Sequence, residues 1–363
     1  MSNFGRKVKI SLFGESHGEV VGMVLEGIPA GESVQKQMLE AFLQRRAPGR
    51  FEWSTPRKEE DIPVFLSGIT NGKTNGFPIC ATIKNTNNNS KDYEEIKNTP
   101  RPGHADYTAN LRYGGKADMR GGGFFSGRLT APLCIAGGIC LQLLEREGVQ
   151  VGAHALQIGK VKGVSYLENE MLSVEDLRMV KTADFPASNK ETGNEMKEEI
   201  KKTQAEGDSV GGVIECAVLG MPAGIGGPYF EGMEGALSNA LFAIPGVKGV
   251  SFGAGFGVAE MKGSENNDAF VLEGGKAQMQ TNNSGGILGG ITTGAPLIIN
   301  VAVKPTPSIA KAQQTVNLVT MKQAEIQIKG RHDPCIIPRA VPVVEAVVGM
   351  VLLDLLLLQN EGE

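Results

Sequence analysis

The stretch from Gly14 to Gly31 reappears, without a gap, as Gly207 to Gly224. Gly14/Gly207, Glu15/Asp208, Ser16/Ser209, Gly18/Gly211, Val20/Val213, Gly27/Gly220, Pro29/Pro222, Ala30/Ala223 and Gly31/Gly224 match or nearly match. Each copy reads as a turn, a β-branched strand and a Gly-x-Pro-Ala-Gly turn, then a helix-patterned segment closed by Pro48-Gly49 or Pro245-Gly246. A looser echo follows in the same order. Thr74-Asn75-Gly76-Phe77-Pro78 precedes an apolar strand ending at Lys84, and Thr292-Thr293-Gly294-Ala295-Pro296 precedes one ending at Lys304. Two copies predict a pseudo-twofold body, not a solenoid. The expected fold is an α+β, internally duplicated, pseudo-twofold sandwich of antiparallel sheets with packed helices. It forms one domain over residues 1–363, with related halves beginning near residues 8 and 207.

The copies part where chemistry begins, because His17 of the first corresponds to Val210 of the second. A purely structural turn has little use for an ionisable ring, so the asymmetry favours a catalytic or binding role for His17. Between the copies, Thr130 to Glu147 has the apolar pattern of a core helix and Val174 to Lys202 the charged pattern of surface helix. Val341 to Leu358 is apolar enough to raise the question of a membrane span. Glu345 and Asp354 interrupt it, Pro342 suits a first helical turn, and apolar residues recur at three- and four-residue steps, so a buried helix is expected.

A formal net charge of -4 argues against nucleic-acid or membrane-surface partners, which a basic excess usually advertises. Five cysteines, an odd number without paired two-residue spacing, indicate neither a disulfide framework nor a metal site. With no apolar leader-like stretch near Met1, a cytoplasmic location is expected. The 49 glycines point instead to backbone that must turn tightly or approach a ligand closely.

Three of the four histidines lie in short blocks of Gly, Pro, Arg and acid: Gly14-Glu15-Ser16-His17-Gly18, Arg101-Pro102-Gly103-His104-Ala105-Asp106 and Gly330-Arg331-His332-Asp333-Pro334. An imidazole with an ordinary pKa of about 6.5 exchanges a proton near neutrality, and a neighbouring Arg fork grips phosphate or carboxylate. Arg45, Arg46 and Arg50 surround Pro48-Gly49, while Arg120 and Arg128 flank Gly121-Gly122-Gly123. Proton donors beside anion clamps suggest an anionic leaving group. Gly121 to Gly123, Ser284-Gly285-Gly286 and Gly289-Gly290 are candidate phosphate cradles, although none fits a nucleotide fingerprint. In the last histidine block, Asp333 competes with His332 as the working group. His154 has no charged neighbour in sequence and reads as structural or exposed. The polar run Asn85 to Arg101 leads into His104 and suggests a lid.

Taken together and in order, these blocks resemble the chorismate synthase family. The resemblance is carried by the three histidine blocks, Arg45-Arg46 before Pro48-Gly49, Arg120-Gly121-Gly122-Gly123, Gly246-Val247-Lys248-Gly249-Val250, Gly285-Gly286-Ile287-Leu288-Gly289-Gly290 and Lys304-Pro305-Thr306. It implies 1,4-anti elimination of phosphate from 5-enolpyruvylshikimate 3-phosphate to give chorismate, a requirement for reduced FMN, and a homotetramer. By position it implies His17 as the acid that protonates departing phosphate, His104 as the group that protonates reduced flavin, and Asp333 as the carboxylate moving a proton at flavin N5. Arg46, Arg50, Arg101 and Arg128 would hold substrate anions. Phe124, Phe125, Ser126, Gly289, Lys304, Pro305, Thr306, Pro307, Ser308 and Arg331 would contact FMN. The family usually has Arg-Ser-Ser-Ala-Arg after the third glycine, where this chain has Phe124-Phe125-Ser126-Gly127-Arg128. Weaker polar contact with the flavin, offset by ring stacking, is expected there. The residues alone leave two other readings open: a metal-free sugar-phosphate lyase or phosphatase without flavin, and a non-catalytic anion-binding module.

Overall fold

The computed structural model describes residues 3–49, 59–86, 98–169, 171–328 and 332–362. Arg50, Arg331 and most of the expected lid lie outside the described residues. The first sheet contains β1 (Asn3–Phe4), β2 (Lys9–Gly14), β3 (Val20–Glu26), β4 (Val64–Ser67) and β5 (Ile79–Lys84), in the spatial order β1-β2-β3-β5-β4. The second contains β6 (Gln150–Ile158), β7 (Val161–Lys162), β8 (Gly212–Leu219), β9 (Val247–Phe252) and β10 (Leu297–Val303), in the order β9-β10-β8-β6-β7. Every neighbouring pair is antiparallel. The run β2-β3-β5-β4 matches β6-β8-β10-β9 strand for strand, so the duplicated sequence is a duplicated topology.

Single atoms repeat as well. After β3, Gly31 donates its N–H to Thr74 O (2.8 Å), and the Thr74 hydroxyl donates to Pro29 O (2.6 Å). After β8, Gly224 donates to Thr292 O and the Thr292 hydroxyl to Pro222 O at the same two distances. Gly27 and Gly220, which open these turns, have φ of +83° and +78°. A Cβ on Gly27 would lie 1.8 Å from Lys7 O, so the turn requires glycine at this point.

Strand β5 alternates buried Ile79, Ala81 and Ile83 with less buried residues, the period-two signature of a sheet with one face on the core. In β8 the buried run is nearly continuous. The helices explain the difference. Those of eight residues or more among the described residues are α1 (Lys36–Arg46), α2 (Asp106–Tyr113), α3 (Thr130–Arg146), α4 (Val174–Thr182), α5 (Lys190–Ala205), α6 (Met233–Leu241) and α7 (Ile337–Gly362). Helix α3 lies on the first sheet, α7 on the second, and the two pack along each other. On the outer face of the second sheet, Leu177 of α4 joins Ala217, Ile298 and Tyr166 in a small apolar cluster. The expected surface helix is thus two helices, α4 and α5, separated around Pro186.

Gly127–Arg146, which is α3 with the turn before it, and Ile337–Gln359 of α7 are each long and apolar enough to cross a membrane, and each is largely buried inside this protein. Two acids of α7, Glu345 and Asp354, are engaged by partners elsewhere in the chain. Glu345 accepts two bonds from Arg45 (2.5 and 2.9 Å) and one from Ala153 N–H (2.9 Å). Asp354 accepts the backbone N–H groups of Arg6, Lys7 and Val8. Pro342 falls in the second turn, not the first, because the helix starts at Ile337. Where α3 and α7 cross, a Cβ on Gly137 would stand 2.3 Å from Ala346 Cβ and 2.5 Å from Ala346 O. Gly137→Val is expected to cost about 3 kcal/mol by forcing the helices apart. Urea titration should show a lower midpoint at unchanged slope. A loss below about 1 kcal/mol would mean that the helices can slide past the new side chain.

Candidate active site

Three consecutive glycines build one wall of the site. Gly121, Gly122 and Gly123 all have positive φ (62°, 91° and 53°), which lets the backbone pass flat against neighbours no side chain could approach. A Cβ on Gly121 would stand 2.1 Å from two atoms of the His17 ring, and one on Gly122 3.1 Å from His104 Nε2. Two imidazoles delivered by separate segments therefore rest on successive residues of one loop. His17 is held in the turn between β2 and β3, where Ser16 donates its N–H to Gly123 O (3.2 Å). Its counterpart Val210 packs against the core and donates its N–H to Pro334 O (2.9 Å).

The loop and both histidines line a cavity of about 780 Å³, within the usual range for ligand sites of roughly 300–1,000 Å³. The first half of the chain supplies His17, Arg46, Arg101, His104, Phe124, Phe125, Ser126 and Arg128. The second supplies Lys248, Lys304 to Ser308, His332, Asp333 and Arg339. Gly289 is not brought here. It is the exposed turn of a small hairpin, Ile287–Leu288 with Ile291–Thr292, whose next residue Gly290 packs on Gly227 and Gly232. Gly285 and Gly286 pack against backbone at Gly253 and Pro296, so these glycines serve turn geometry.

His104 sits just before α2. Its Nδ1 is 2.6 Å from Asp106 Oδ1. Asp106 also accepts from Arg101 Nε (2.7 Å) and Nη2 (2.8 Å), while Arg101 Nη1 donates to Ser308 Oγ (3.2 Å). Burial alone would raise the Asp106 pKa, but the bonds from Arg101 and His104 outweigh it and hold the carboxyl far below the usual range.

Arg46 and Arg128 line the cavity with much of each fork already engaged. Arg46 donates to Thr130 Oγ1 (3.1 Å), Asp61 Oδ2 (2.6 Å) and Gly127 O (3.1 Å), which among the described residues leaves two of its five N–H groups. Arg128 bonds Asn85 Oδ1 (2.9 Å), Asp61 and, at 2.6 Å, Glu59. Desolvation pushes Asp61 toward protonation, yet the two guanidiniums overcome it and keep the carboxyl below its ordinary pKa. Arg46 and Arg128, two of the expected anion clamps, thus stand in a cluster with Asp61 and Glu59. Arg45 points away from the cavity to Glu345, and the exposed Arg120 pairs with Asp118 (2.6 Å).

At the opposite wall, Lys304 donates from Nζ to Gly103 O, tying the second half to the His104 loop. Burial, then the proximity of Lys248, lower its pKa. Thr306 Oγ1 donates to Asp333 O (2.8 Å), and Ser209, the counterpart of Ser16, donates to Thr306 O (2.7 Å). Arg339 grips the Asp333 carboxylate and donates from Nε to Arg46 O (3.0 Å). Asp106 and Lys248 lay inside motifs already singled out, whereas Glu59, Asp61 and Arg339 gave no signal in the sequence. His154 is buried and does have a charged partner, Glu215 on the next strand at 2.9 Å, so its role is structural.

The chorismate synthase family model matches residues 8–357. A chorismate synthase from Thermococcus kodakarensis is 47% identical over 359 residues, covering 99% of this chain and 98% of that protein. One from Pyrococcus abyssi is 48% identical over 361 residues with the same coverage. A crystal structure of a chorismate synthase superposes with a TM-score of 0.78 at 28% identity, spanning 98% of this chain and 93% of that one. Likeness in sequence runs across both halves and the cavity between them, and likeness in fold does the same: the chain belongs to the chorismate synthase family.

Proposed function

We propose that this protein removes phosphate and a C6 proton from 5-enolpyruvylshikimate 3-phosphate by 1,4-anti elimination, giving chorismate, with reduced FMN as its cofactor. The observation that carries this reading is the pair of imidazoles on Gly121 and Gly122, facing a cavity rimmed by cations from both halves. The donor set fits a flavin mononucleotide. Phe124, Phe125 and Phe242 offer apolar and ring surface, and Ser126, Lys304, Thr306 and Ser308 offer donors for the hydroxyl and phosphate groups of its side chain. When bound, the dihydroflavin supplies electron density that is returned within the turnover, so the reaction has no net oxidation.

The rest falls to the chain. Arg101 and the uncommitted N–H groups of Arg46 hold the substrate's anionic groups, with Arg128 braced beside them. His17 gives a proton to the departing phosphate, which would otherwise leave as a more highly charged and poorer leaving group. His104 would hold a proton for the cofactor, and Asp333, fixed by Arg339, would accept one. We further infer a homotetramer working in the cytoplasm. An anaerobic assay with substrate and reduced FMN should release one phosphate per chorismate formed. Phosphate release without flavin, or no release with it, would overturn this reading.

A further inference from the structure

His104 meets charge from several sides. Asp106 Oδ1 lies 2.6 Å from Nδ1. Arg101 Nη2 lies 3.1 Å from Nδ1 and 3.3 Å from Nε2, nearly equidistant, so it is not aimed at one lone pair alone. From the second half of the chain, Lys304 Nζ bonds Gly103 O, and a Cβ on Gly103 would stand 3.7 Å from that nitrogen. Gly122 occupies the side of Nε2 and brings no charge. Among the described residues, Asp106 and Arg101 thus touch the ring, and Lys304 stands at the residue before it.

We propose that Asp106 is the positioning residue of His104: its carboxylate accepts the Nδ1–H, fixing the neutral ring as the Nδ1–H tautomer and leaving Nε2 as the nitrogen that exchanges the working proton. The same carboxylate offsets Arg101 and Lys304, which would otherwise disfavour imidazolium. Arg101 in turn anchors Asp106 through both carboxylate oxygens, so the acid cannot rotate away from the ring. A histidine whose far nitrogen is held by a carboxylate is oriented in this way in proton-transfer sites generally. The inference rests on the functional reading of His104, but its test does not depend on turnover.

In protein labelled with ¹⁵N-histidine, FMN-bound and free, the His104 ring resonances are assigned by their loss in His104→Gln. They should report the Nδ1–H tautomer in the neutral form. In Asp106→Asn the titration midpoint of His104 should fall by about one pH unit, a roughly tenfold loss of proton affinity. The basic limb of the kcat profile should move down with it. Asp106→Glu, which keeps the charge, should restore both. An Nε2–H tautomer in the unmodified protein would overturn the proposal, as would an unmoved midpoint in folded Asp106→Asn. Should that variant not fold, the tautomer in the unmodified protein decides. Chorismate formation is measured separately, so an inactive protein with the expected tautomer would refute the elimination reading and leave this one standing.

Discussion

His17→Ala lowers kcat for the phosphate ester by about 10²–10⁴-fold, the usual worth of general acid assistance. A phosphate ester oxygen must become a leaving group, and the proposed reading assigns the proton for it to the imidazole that lies against Gly121. Loss of the fold does not explain such a fall, because the molecule contains its own control: the equivalent turn of the second half carries Val210 and closes without an imidazole. KM for the phosphate ester should change far less than kcat, since under the proposed function His17 acts on charge that develops during the reaction. Steady-state kinetics with reduced FMN, beside a thermal melt, measure both. A folded variant turning over at the original rate would remove His17 from the mechanism.

The largest stability effect is expected at Asp61. Its side chain is fully buried and bonds both Arg46 and Arg128. Asp61→Ala leaves two buried guanidiniums short of counter-charge, a change that costs about 3–5 kcal/mol when one partner of a buried pair is removed. Glu59 remains beside Arg128 and limits the loss there. The pH dependence has a definite sign. Asp61 has a lower pKa folded than unfolded, so its contribution is present above the unfolded value of about 4. It is lost as pH falls through the folded value. Asp61→Ala should therefore be markedly less stable at pH 7 and lose less additional stability on acidification than the unmodified protein. Parallel denaturant curves at pH 7 and pH 3 test this, and equal losses at both would deny Asp61 the role.

What the sequence made legible was whatever repeats or stays local. The Gly-x-Pro-Ala-Gly turns, the β-branched strands and the Thr74/Thr292 echo are short-range patterns, and each became the same set of bonds in both halves. The apolar periodicity of α3 and α7 is local too, so both helices could be read. Charges meeting across long separations could not. Asp61 finds Arg128 67 residues away, and Arg45 finds Glu345 300 residues away. Nothing along the chain distinguishes these arginines from anion-binding ones, which is why several expected clamps proved to be partly occupied. His154 looked solitary because Glu215 reaches it through strand pairing. Gly289 was taken for a ligand contact on motif position, while its backbone serves a hairpin turn outside the cavity.

Helix α7 is the last described element to be made, yet it lies between the sheets, and its Asp354 clasps the amides of residues 6 to 8. While a ribosome is still translating residues before 337, the inner face of the second sheet has no cover and the opening strands lack their anchor. A nascent chain can pair strands locally, but it must hold an unfinished interior until this helix emerges. Translational stalling just ahead of it would therefore leave a sticky intermediate for chaperones rather than a stable half-molecule.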